Sequence, residues 1–121
     1  MDQQESKGRA HALAEQLAQE ALALKGENVR ILDVSDLLYI TDYFVIVTSA
    51  SARQTRALAE AMRTAAKATA GGKGTSEGTA RSTWLLCDFD TVVVHILTEE
   101  AREFYALDDL WADAEQVFPA A

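Results

Sequence analysis

The chain has 121 residues, 49% of them hydrophobic, and a formal net charge of -8 from 19 acidic and 11 basic side chains. That length suffices for one domain spanning residues 1–121, burying roughly two-thirds of its unfolded surface without disulfides or a metal. The acidic balance opposes phosphate backbones at long range, which disfavours a general nucleic-acid binder and suits a basic protein partner. No run approaches the roughly 18 apolar residues that span a bilayer, and the opening M-D-Q-Q-E-S-K-G-R lacks the apolar core of a signal peptide, so a cytoplasmic location away from membranes is expected.

Over residues 6–24, Leu13, Leu17, Ala21 and Leu24 recur at spacings of three and four between Glu15, Gln16, Gln19 and Glu20. That stripe predicts an amphipathic helix closed by Gly26 as its carboxyl-terminal cap, with His11 near its start as a surface side chain. Asn28 to Val34 alternates Val29 and Ile31 with Arg30 and Leu32 and reads as a strand. Ser35 to Asp42 breaks the pattern, and Tyr43 to Ser49 resumes it with strongly β-favouring residues, so two adjacent strands are expected. Thr41 and Asp42 are expected to close the turn between them through side-chain hydrogen bonds.

Ser51-Ala52-Arg53-Gln54 fits a capping box at the start of a helix that runs to Ala70 with Leu58, Met62, Ala65, Ala66 and Thr69 inward. Arg53, Arg56, Arg63 and Lys67 lie on its other faces and read as a solvated or internally paired set. Gly71 to Gly78 holds four of the six glycines and reads as a flexible loop or a poorly formed edge strand. It is not a phosphate-binding loop, because Gly72-Lys73-Gly74 follows a helix and lacks the G-x-x-x-x-G-K-S/T spacing.

Thr83 to Leu97 is the stretch around which the rest is organised, two β-rich runs with a polar break between them. Val92 to Leu97 is apolar at nearly every position and so reads as a central strand buried on both faces. A two-residue hairpin loop at Phe89 and Asp90 sets Trp84 opposite His95, Leu86 opposite Val93 and Asp88 opposite Thr91, on one face that mixes a large aromatic with polar groups. Cys87, alone of its type, is expected to be a small buried hydrophobe. Glu99 to Trp111 predicts a helix with Phe104, Leu107 and Trp111 on one side and Tyr105 and Trp111 in the core. Pro119 then ends regular structure within a polar tail at 113–121.

Chemistry is sparse. Asp88-Phe89-Asp90 is a D-x-D at a strand end, but paired-metal chemistry also needs a third carboxylate and a loop gripping phosphates. His95 has no Ser or Cys nucleophile arranged around it and reads as a satisfied core histidine. No catalytic residue, metal or cofactor is expected, and the residues by themselves describe a small acidic α/β (α+β) domain.

Several segments together resemble one family: L-D-V at 32–34, T-D-Y-F-V-I-V at 41–47, S-x-R-Q at 51–54, E-G followed by W at 77–84, V-V-V-H at 92–95 and R-E-F-Y-x-L-x-x-L-W at 102–111. In order and spacing they are similar to the ribosomal silencing factor (RsfS, Iojap-like) family, over nearly the whole chain as far as Trp111. The resemblance implies a mixed β-sheet flanked by helices with nucleotidyltransferase-like topology and no catalytic residues. It implies binding to the large (50S) ribosomal subunit through its protein uL-fourteen, a block on small-subunit joining, repression of translation in starvation or stationary phase, and homodimers. Carried onto this chain, it points to Trp84, Asp88, His95, Tyr43, Glu77 and Tyr105 as partner-binding residues, with Trp84 as anchor. The family's Asp, aromatic, Gly, Asp before V-V-V-H is here Asp88, Phe89, Asp90, Thr91, so an aspartate stands where a turn glycine is usual. The competing readings are a nucleotide-binding enzyme of nucleotidyltransferase type and a plain homodimerisation module, with Trp84 in a core or a dimer contact.

Overall fold

The computed structural model describes residues 3–38, 40–70, 74–79 and 81–119. In chain order the elements are α1 (Gln3–Ala23), β1 (Glu27–Asp33), β2 (Tyr43–Thr48), α2 (Ala52–Ala70), β3 (Thr75–Glu77), β4 (Trp84–Asp88), β5 (Val92–Leu97), α3 (Glu99–Tyr105), α4 (Leu107–Leu110) and β6 (Glu115–Phe118). The strands form one sheet in the order β3-β4-β5-β2-β1-β6. β2 and β5 run parallel at its centre and every other neighbouring pair is antiparallel. Both central strands are buried at all positions, as expected of β-branched runs covered on two faces.

Helices flank this mixed sheet unequally. On one face Leu13, Leu17 and Ala21 of α1 and Leu58 and Met62 of α2 close over Val45, Val47, Val94 and Ile96. On the other, Ala101 of α3 and Leu107 of α4 pack on Leu32, Phe44, Ile46, Val93 and Leu97. Those two helices are only seven and four residues long, so part of that face stays open.

Local chemistry differs from the sequence expectation at several joints. At the end of α1 the left-handed residue is Lys25 (φ 63°), not Gly26. Gly26 donates to the Ala21 carbonyl at 2.8 Å, and an added Cβ there would fall 2.5 Å from Val47, so close approach is what demands glycine. At α2, Ser51 Oγ accepts from the Gln54 amide at 3.1 Å, as the capping box predicts. The Gln54 side chain instead accepts from Ala50 N and donates to the Leu24 and Lys25 carbonyls, tying the end of α1 to the start of α2. In the β1–β2 connection it is the backbone of Asp42 that closes the turn, bonding Val34 and Thr91, while Asp33 Oδ1 accepts from Ser35. Thr41 Oγ1 is buried with no partner among the described residues.

The glycine-rich stretch yields the short edge strand β3, and its residues 71–73 lie outside the described ones. Glu115 to Phe118, read as part of a polar tail, pairs with β1 as an edge strand. Glu99 to Trp111 is two helices, because Ala106 takes a left-handed conformation (φ 48°). The break turns Leu107 into the core at 1% exposure and leaves Phe104 outside at 80%, so the shared side expected for one continuous helix does not form.

Candidate functional site

The open part of the sheet carries a connected series of aromatic rings. β4 alternates strictly, with Leu85 and Cys87 buried towards α1 and α2 and Trp84 and Leu86 half-buried on the opposite face. Its hairpin partner is displaced from the expected register. Leu86 pairs with His95 and Trp84 with Leu97, because the loop residues are Asp90 and Thr91, with Phe89 N donating to the Val92 carbonyl at 2.9 Å. Asp90 adopts φ 73° and its amide is held by Asp88 Oδ1 at 2.8 Å, which fixes the turn there. Moving the loop by one residue shifts the pairing by two, so each side chain keeps its face and Trp84 and His95 meet diagonally.

That diagonal pair is a hydrogen bond. The Trp84 indole Nε1–H donates to His95 Nδ1 at 3.1 Å, so the neutral imidazole carries its proton on Nε2. His95 is 4% exposed and burial lowers its pKa to about 4. Its Nε2 has no partner among the described residues. The ring also meets the edge of Phe44 at 4.5 Å, and Phe44 meets Trp111 at 5.0 Å. In the other direction Trp84 lies 5.0 Å from Tyr105, and Tyr105 lies 5.0 Å from Phe104. The series runs from the buried Phe44 outward to Tyr105, half exposed, and Phe104, almost fully exposed.

Of the sequence-predicted site residues, the structure brings Trp84, His95 and Tyr105 into contact. Asp88 lies on their sheet face and is exposed at the hairpin end, and Glu77 is exposed on β3 opposite Leu86, on the same face. Two differ from the expectation. Tyr43 is 3% exposed on the helix-covered face, where its ring meets His11 at 5.5 Å. His95 is buried, with its Nδ1 holding the Trp84 indole N–H. Tyr105 is a surface ring and not a core one, while Trp111 is half-buried against the second core. Cys87 is fully buried, and burial pushes its thiol pKa up.

A buried cation supports the platform, and the sequence reading passed over it. Arg102 is 5% exposed and grips Asp108 with both arms of its fork, Nε to Oδ2 at 2.8 Å and Nη2 to Oδ1 at 3.0 Å. Its Nη1 donates to the Asn28 carbonyl at 2.7 Å and to Thr48 Oγ1 at 3.0 Å. Arg30 Nη1 also binds Asp108, and Arg102, with Arg30 behind it, holds that carboxyl below the usual carboxylate range. The two short helices are thereby fastened to β1 and β2. Residues 102 and 108 are not neighbours on any continuous helix; only the turn at Ala106 brings them together.

A six-stranded sheet closed by helices on one side and bearing a half-open aromatic ladder on the other defines the class: a small α/β domain with one face left partly open. A family model described as "Ribosomal silencing factor during starvation" matches residues 7–120. The chain is 36% identical over 101 residues to the ribosomal silencing factor RsfS of Haemophilus influenzae, covering 84% of this chain and 99% of that one. It is 34% identical over 106 residues to the chloroplastic protein Iojap of Arabidopsis thaliana, covering 88% of this chain and 44% of that longer one. A crystal structure of a Chromobacterium violaceum protein superposes with a TM-score of 0.74 at 30% identity, covering 100% of this chain and 95% of that one. The chain belongs to the RsfS family of ribosomal silencing factors, which gives it a role in translation regulation by ribosome silencing.

Proposed function

We propose that this protein represses translation by docking its aromatic face on the large ribosomal subunit, through the basic ribosomal protein uL-fourteen, and excluding the small subunit by its bulk. The reading rests on one observation above the rest: in a chain of this family, the half-buried Trp84 and the exposed Tyr105 and Phe104 form a contiguous aromatic ladder opening to the surface. Aromatic side chains that are already held in place make interface anchors at low entropic cost. Carboxylates surround them, with Glu77 and Asp88 at the sheet edge and Glu99, Glu100 and Glu103 exposed on α3. Such charge speeds encounter with a basic partner, while the rings supply retention. The action is occupancy of space in the cytoplasm, with no bond made or broken and no cofactor.

The test is sedimentation with purified subunits. The protein is expected with free large subunits and absent from joined ribosomes, and Trp84→Ala is expected to remove it from the large subunit. Recovery only in unbound fractions at low salt overturns the proposal. The same exposed ladder suits a second copy of the chain, so a homodimer is the competing occupant. If that copy holds the face, Trp84→Ala converts a dimer to monomer and leaves sedimentation with the subunit unchanged.

A further inference from the structure

The outer side of α2 carries Arg53, Arg56, Arg63 and Lys67, all exposed, with Glu60 the one carboxylate among them. At about 100° per residue these five positions fall within roughly an 80° arc and extend over about 21 Å of helix. The arc borders β3. Arg56, Glu60 and Arg63 form one wall of a groove of about 330 Å³ whose other wall is Ser76, Gly78 and Thr79. Arg63 Nη1 reaches across it to Ser76 Oγ at 3.0 Å. Arg81, also exposed, follows two residues after Thr79 and is tied to it through its amide at 3.2 Å.

Elsewhere Lys7 pairs with Asp33, and Arg30 and Arg102 with Asp108. Among the described residues Arg53, Arg56, Arg63, Lys67 and Arg81 form no ion pair. In a chain of net charge -8, this concentrates unneutralised positive charge on one ridge.

We infer that this ridge and groove hold the phosphodiester backbone of RNA, as a contact secondary to the aromatic face. Guanidinium forks beside hydroxyl donors match phosphate oxygens, and a ridge of this length meets several successive phosphates. Glu60 and the acidic remainder of the chain keep it from capturing free RNA tightly. The contact therefore becomes strong only when another surface has already brought RNA close. The geometry allows this: Trp84 and Leu86 lie on the other face of β4, so the ladder and the ridge flank one sheet edge. The inference takes the source of the RNA, a ribosomal subunit, from the function proposed above.

Two measurements separate the inference from that function. In NMR titration of the free protein at low salt with a short uridine oligonucleotide, amides of Arg56, Arg63, Ser76 and Thr79 are expected to shift, and Arg56→Glu/Arg63→Glu is expected to abolish the shifts. No shift, shifts confined to other elements, or an equal response to a polyglutamate peptide overturns the inference, the last outcome assigning the ridge to an acidic protein. On large subunits, Arg56→Gln and Arg63→Gln are each expected to flatten the slope of log K against log salt by about one while binding persists. Unchanged slopes overturn it. Loss of binding with Trp84→Ala reports on the aromatic face alone, so each idea can fail without the other.

Discussion

The two faces of the sheet are built from the same strands and finished differently. On one, α1 and α2 lay 21 and 19 residues of helix over Val45, Val47, Val94 and Ile96, and the alternate residues of β4, Leu85 and Cys87, disappear beneath them. On the other, α3 and α4 are too short to cover β4, and Trp84 and Leu86 are left half-buried. A strand with a two-residue period must present both environments at once. What distinguishes the faces is therefore the length of helix supplied to each, and the shorter supply leaves aromatic area available to another molecule. Stability should concentrate on the closed face and in the joints that fix the short helices, and binding on the open one.

The largest expected effect is at the joint. Removing Arg102 leaves Asp108 without its bidentate partner and the Asn28 carbonyl and Thr48 hydroxyl without a donor. Breaking a fully buried pair from one side costs about 3–5 kcal/mol, and because Asp108 is part-exposed and keeps Arg30 the loss falls at about the lower end of that range. Arg102→Ala is expected to lower the urea midpoint accordingly, and Arg102→Lys, which lacks the fork, to recover only part of the loss. A loss under 1 kcal/mol would show that the platform is not held this way.

Next in size is a pH effect carried by His95. Its pKa falls from the ordinary 6.5 to about 4 because burial disfavours the imidazolium. Between those values the unfolded chain binds more protons than the folded one, so stability is full above pH 6.5 and is lost as pH falls towards 4. Over that interval the loss is roughly 3 kcal/mol, and above about pH 5 the carboxylates add little to it. Urea titrations at pH 7 and pH 5 should differ in wild type. His95→Phe, which does not titrate, should show little difference. The imidazolium cannot accept from the indole, so in the folded protein the Trp84 Nε1–H resonance should hold its position until the pH nears about 4 and change there.

The comparison between the faces is sharpest in a pair of truncations. Leu58→Ala, under the closed face at 0% exposure, should cost about 2–5 kcal/mol of stability and leave the affinity of the folded protein for large subunits unchanged. Trp84→Ala should cost less stability, since the ring is already half in water, and weaken docking by about 2 kcal/mol or more, the mark of an interface anchor. If Trp84→Ala is silent in binding while Leu58→Ala is not, the open face is not the working one.

How much of this the sequence disclosed follows from where the signals are local. The buried central strand at Val92 to Leu97, the inner stripe of α1, the α2 stripe at Leu58, Met62, Ala65 and Ala66 and the face shared by Trp84 and His95 are written in residue spacing, and they stand, while the environment of Thr69 lies outside what the structure describes. The hairpin register does not follow from spacing, because Asp88 and Asp90 select the turn through a carboxylate-to-amide bond. The break at Ala106 is hidden because alanine is the best helix former. The break sets Arg102 against Asp108 and turns Leu107 into the core, long-range contacts that no local propensity marks. With that break hidden, Phe104 reads as sharing a side with Leu107 and Trp111, Tyr105 reads as core when it is surface, and strand β6, made of Glu115 to Phe118, reads as tail.

The smallest expected effect tests the turn itself. Asp90 holds φ 73°, a region that costs a residue with a Cβ about 1 kcal/mol and that glycine occupies freely. Its side chain is exposed, and the bond that fixes the turn uses the Asp90 amide, which glycine retains. Asp90→Gly is therefore expected to raise stability by up to about 1 kcal/mol. The gain is reduced by the extra freedom glycine has when unfolded. Because the turn lies at the end of β4 away from Trp84, docking should be unaffected. A stability gain accompanied by weaker docking would mean that the Asp90 carboxylate itself meets the partner, which would extend the working face from the aromatic ladder to the tip of the hairpin.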